Sequence, residues 1–63
     1  MFRNYVGDLI SFRYEDSYLY GVIQKVRKEE DEEFVDVLVR NRFYKNIKEE
    51  DILRHYGQED SNE

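Results

Sequence analysis

Phe34-Val35-Asp36-Val37-Leu38-Val39-Arg40 is the stretch that decides the fold. Its valines recur at every second position, so an extended backbone sends Val35, Val37 and Val39 to one face, whereas a helix would scatter them. β-Branched side chains are stiff in helices and pack well on a pleated surface. Residues 34–40 therefore read as a strand with one apolar face.

The same period extends outward in both directions. Upstream, residues 28–33 form a charged hairpin loop carrying Glu29-Glu30-Asp31-Glu32-Glu33. Before it, residues 18–27 read as a second strand with Gly21, Ile23 and Val26 inward; the two-residue gap before Val26 predicts a bulge. Gly21 has no Cβ, which suits a bent strand passing close to its neighbour. Gly7-Asp8 opens a first strand over residues 9–14, with Ile10, Phe12 and Tyr14 on one face, and Glu15-Asp16-Ser17 turns it back. Downstream, Asn41 stands where a tight turn needs a residue tolerant of the left-handed region. Residues 42–47 return as a fourth strand, residues 48–51 make one helical turn, and residues 52–56 are a short fifth strand. From Gly57 the chain is too polar to pack. The expected organisation is one all-β domain over residues 1–56, closed into a small five-stranded barrel because closure removes exposed edges. A disordered acidic tail over 57–63 follows it.

Sixty-three residues leave no room for a second core. A domain this small buries only about 60% of the surface its unfolded chain exposes, so its stability is marginal. There is no cysteine to staple it. Six Tyr and four Phe supply the bulk instead, and self-association is another route to stability. No apolar run approaches the ~18 residues of a membrane span and no signal-peptide core follows Met1, so a soluble, cytoplasmic protein is expected.

The order of these signals resembles SH3-like barrels of the Tudor and KOW type. The matching stretches are Gly7-Asp8-Leu9-Ile10-Ser11-Phe12, Tyr20-Gly21-Val22-Ile23-Gln24-Lys25-Val26, Val35-Asp36-Val37-Leu38-Val39 and Tyr44-Lys45-Asn46-Ile47-Lys48-Glu49-Glu50-Asp51-Ile52. The resemblance covers most of the chain. It implies a five-stranded SH3-like barrel with a one-turn helix before the last strand, and a binding module; it does not choose the ligand, since such barrels hold nucleic acids, methylated side chains or other proteins.

Catalytic chemistry is not expected. His55 is the only histidine; Ser11, Ser17 and Ser61 sit in no nucleophile motif, and Gly7, Gly21 and Gly57 are isolated rather than gathered in a phosphate loop. No cofactor is implied. The acidic run 29–33 lacks the spacing and central glycine of a calcium loop, so it reads as a solvated turn, not a metal site.

Three surfaces remain as candidates. Leu9, Tyr20, Val22, Phe34 and Leu38 alternate with the inward side chains of three neighbouring strands, and so form an apolar outer face of the kind that marks a protein interface. Phe2, Tyr5 and Val6 folding back over that face is the competing arrangement. Charge marks a second surface. Residues 29–33 and 49–63 hold eleven acids and one base, while the rest holds nine bases and four acids within a net charge of −5. Arg13, Lys25, Arg40, Arg42 and Lys45 with Tyr14 and Tyr44 make a basic, aromatic stripe suited to single-stranded nucleic acid. Third, Tyr14, Tyr18, Tyr20 and Tyr44 are candidates for an aromatic cage around a methylated cation. The leading expectation is a non-enzymatic protein-interaction module, with the acidic loop steering it to a basic partner, as an acidic regulator or inhibitor of a larger protein with a basic channel. A KOW-like nucleic-acid contact module and a homo-oligomeric building block, including a homodimer, are the alternatives; no membrane partner is expected.

Overall fold

The computed structural model describes residues 4–58. Five antiparallel strands follow one another: β1 (Asp8–Tyr14), β2 (Ser17–Glu29), β3 (Glu32–Val39), β4 (Arg42–Lys48) and β5 (Ile52–Gln58), with a single 3-10 turn at Glu49–Asp51 before the last. The hydrogen-bonded order is β4-β3-β2-β1-β5. The sheet is therefore open: β4 and β5 are its two edges, and the expected closure into a full barrel does not occur.

Curvature, not closure, makes the core. β2 bulges between Ile23 and Lys25, at the place the Ile23–Val26 gap indicated. Next to it, Gly21 lets β3 approach so closely that a Cβ would lie 2.6 Å from the Leu38 carbonyl oxygen and from Val37 Cγ1, and 2.7 Å from Val39 Cγ2. The concave face then encloses Ile10, Phe12, Ile23, Val35, Val37 and Ile47, all buried, with Leu19, Val26, Val39, Tyr44 and Ile52 packed around them. Val35 and Val37 are central to that core and Val39 is half-buried at its margin.

The connections differ from expectation. The loop at 28–33 is only a two-residue turn, Glu30-Asp31, because the ladder continues through Arg27 opposite Phe34, Lys28 opposite Glu33 and Glu29 opposite Glu32. In the next hairpin it is Arg40, not Asn41, that takes the left-handed conformation, with φ 59°. Glu15 (φ 55°) and Glu30 (φ 56°) do the same at the first position of their turns. Such a conformation costs an L-residue about 1–2 kcal/mol. At the C-terminal end, Gly57 and Gln58 do not begin a tail: they extend β5, paired with Leu9 and Asp8. Residues 59–63, the rest of the expected tail, lie outside the described residues, as does Phe2.

Candidate functional site: an apolar outer face between two charged poles

Residues that face away from the core fall into line across the strands. Leu9 is the partner of Val22, Val22 of Leu38, and Leu38 of Phe43, so one apolar row crosses β1, β2, β3 and β4 on the convex side. Leu9, Val22 and Leu38 are half-buried among their neighbours, while Phe43 is 58% exposed. Beside the row, the rings of Tyr20 and Tyr56 lie 6.0 Å apart. Ser11, the register partner of Tyr20, lines the same surface as both tyrosines and is buried.

One correction to the expected patch follows. Phe34 does not join it. The Arg27 guanidinium lies 5.6 Å from the Phe34 ring centroid and is itself tied to Glu29, Asp36 and Asn46. This polar cluster separates Phe34 from the Leu9–Val22–Leu38–Phe43 row. Phe43 and Tyr56, which alternation in the first three strands did not single out, take its place. Tyr5 and Val6, in the segment leading into β1, are 56% and 61% exposed.

The basic stripe is also divided. Arg40 and Arg42 line an open hollow of about 780 Å³ together with Tyr18, Leu19, Tyr20, Val39, Asn41 and Tyr44. Tyr44 is held in place: its ring meets Tyr14 edge-on at 4.8 Å and Phe12 at 5.8 Å, and Arg42 sits 5.9 Å from its centroid. Tyr18, opposite Arg13 in register, is 69% exposed. Lys25 lies elsewhere, opposite Asp36 in the middle of the sheet, and Lys45 does not line the hollow. An aromatic cage for a methylated cation fits poorly here, since the hollow that gathers Tyr18, Tyr20 and Tyr44 also receives two guanidinium groups, which repel a cation.

The opposite end of the sheet is acidic. The turn after β2 brings Asp31, Glu32 and Glu33 beside Lys48, Glu49 and Glu50. Asn4 ties this end together: its amide nitrogen donates to Glu49 Oε1 at 2.8 Å and to Glu33 Oε2 at 3.2 Å. With the nitrogen so engaged, its amide oxygen accepts from His55 Nε2 at 2.7 Å. His55 thus joins a structural clamp between the N-terminal segment, β3, the 3-10 turn and β5. Among the described residues, no group of three or more His, Cys, Asp or Glu is arranged to hold a metal ion, and no helix is long and apolar enough to cross a membrane.

Comparison with known proteins returned no matching family model, no matching curated protein and no matching solved structure.

Proposed function

We propose that this chain is a non-enzymatic protein-interaction module of SH3-like (Tudor/KOW-like) type. It uses the convex face of its sheet: Leu9, Val22, Leu38 and Phe43 in one row, with Tyr20 and Tyr56 beside it. The observation that carries this reading is the register. Four apolar side chains in line across four strands make a surface with no role in the core, which lies on the other side of the sheet. Contiguous apolar surface on a small domain marks an interface, and exposed tyrosines are the residue type most used to anchor one. The acidic end then steers the module toward a basic partner, an electrostatic effect felt mainly in the association rate.

Affinity capture from the native cell tests this, run in parallel with the unchanged chain, a Val22→Glu/Leu38→Glu variant and an Arg40→Glu variant. The expected result is a protein recovered with the first and third baits and lost with the second. The same recovery with all three refutes the assignment of the convex face. The nucleic-acid alternative has less support. Only two arginines line the hollow and Lys25 stands apart, whereas sequence-independent affinity for nucleic acid grows with the number of phosphates neutralised.

A further inference from the structure

The row on the convex face leaves the two poles unexplained. We infer that they fit each other: the acidic turn of one molecule docks in the Arg40/Arg42 hollow of a second copy, giving head-to-tail self-association.

Three observations lead there. The poles are complementary in charge, since no acid lines the hollow around Arg40 and Arg42, while the turn at the other end places Glu29, Glu30, Asp31, Glu32 and Glu33 in succession. Glu15 stays outside that hollow but lines an adjoining one with Arg42, Phe43 and Tyr44, so the basic end carries one acid beside Arg42. The poles also stand at opposite ends of one strand. β3 has eight residues between the two turns, so the poles are about 25 Å apart and no molecule can satisfy its own. That distance is roughly three Debye lengths at physiological ionic strength. A docked pole therefore responds to the charges facing it and much less to the net −5 of the whole partner.

The third observation is local frustration at both tips. Glu29 and Glu32 are direct cross-strand partners, an arrangement of like charges that destabilises a ladder. Glu30 and Arg40 occupy left-handed positions that Gly or Asn would hold at lower energy. Arg27 already reaches Glu29 within the molecule at 3.3 Å, so the carboxylates of Glu30, Asp31 and Glu32 are the ones a second copy's arginines would meet, in paired hydrogen bonds with their planar guanidinium groups. Tyr18 and Tyr20 flank the entrance. The interface joins two different surfaces, so it propagates into short chains or rings rather than stopping at a symmetric dimer.

Sedimentation of the full chain over a range of concentrations tests this. At about 20 mM salt the mean mass should rise above the 7.8 kDa of one chain, and at about 300 mM salt the association should weaken roughly tenfold or more. Arg40→Glu/Arg42→Glu and Glu30→Arg/Glu32→Arg change exposed residues, and circular dichroism verifies that each folds. Each alone should remain a monomer, and an equimolar mixture of the two should associate again. A single 7.8-kDa species up to millimolar concentration at low salt overturns the inference. So does association that survives both reversals and is abolished by Val22→Glu, which would assign it to the convex face. So does an oligothymidylate that perturbs the Tyr18 and Tyr20 signals of a chain that shows no self-association.

Discussion

Replacing Gly21 by alanine probes the feature on which the curvature depends. The added methyl carbon would sit 2.6 Å from the Leu38 carbonyl oxygen and from Val37 Cγ1. That is about 1 Å inside the ~3.5–4.0 Å optimum for non-bonded carbon contacts. Two of the three crowding groups belong to β3 residues whose side chains are packed into the core or its margin, and the third is backbone, so none can swing aside. Relief requires β3 to move away from β2 at the centre of the sheet. Overpacking of this kind costs about 1–3 kcal/mol, and the loss of glycine's unfolded-state freedom returns only about 0.5–1 kcal/mol. A 63-residue domain has about 3–9 kcal/mol in all. A net loss of a little above about 1 kcal/mol therefore removes an appreciable share and lowers Tm by about 5–10 °C. Thermal and urea unfolding followed by circular dichroism measure it. Gly57 supplies the control: nothing lies within 4 Å of its Cβ position, but its φ is +83°. Asparagine, which tolerates the left-handed region, should largely replace Gly57 and should fail at Gly21. A Gly21→Ala protein that melts within about 2 °C of the parent would refute the close approach of β2 and β3.

Other substitutions test separate parts of the structure. Phe12→Ala empties the centre of the core and should cost about 3–5 kcal/mol, the largest loss of the set, read as a fall in Tm and in the urea midpoint. Asn4→Ala removes the clamp on Glu33, Glu49 and His55 and should cost about 2 kcal/mol in urea unfolding; Asn4→Asp should cost more, because it sets a third carboxylate against two. Glu15→Asn, at φ 55°, should stabilise by about 0.5–1 kcal/mol, read as a rise in Tm. Val22→Thr and Leu38→Thr keep strand-forming side chains while removing apolar surface from the convex face. Each should cost no more than about 1 kcal/mol in urea unfolding, where Val37→Ala should cost at least twice that.

Much of the fold is legible in the sequence because strands announce themselves locally. Alternating valines gave the faces of β3, the spacing from Ile23 to Val26 located the bulge, and a glycine within an apolar run marked the tight crossing at residue 21. Even the separation of Phe34 from the convex patch was accessible: a turn centred on Glu30-Asp31 sets Arg27 opposite Phe34 whatever its length. What could not be read depends on partners remote in sequence. Whether β4 and β5 meet is decided by the global coil of the sheet, which no window of residues encodes, and here they do not. In the turn between Val39 and Arg42 the left-handed position falls on the first residue, Arg40, although Asn41 is the residue type that favours it. Asn4 carries no local signal at all; its importance arises from Glu33, Glu49 and His55, which are 29 to 51 residues away.

The arrangement would also let so short a chain hold more than one of the proposed contact surfaces. In an open, curved sheet the concave side chains are spent on the core, and the convex ones are free of it. Turn residues belong to neither set. The row on the convex face, the Arg40/Arg42 hollow and the acidic turn thus draw on different residues, apart from Tyr20, which borders both the row and the hollow. Val22 and Leu38 line neither pole, but Leu38 stands two residues, about 7 Å, from Arg40, and Phe43 follows Arg42, so the row adjoins the hollow and is remote only from the acidic turn. Reversing charge at the acidic turn should therefore leave the convex face intact, whereas Arg40→Glu and Leu38→Glu should show coupling in a double-mutant cycle. That asymmetry follows from the direction of β3: it runs from the acidic turn to the arginines, places Leu38 near the arginine end, and carries Leu38 on one side of the sheet and Val35 and Val37 on the other.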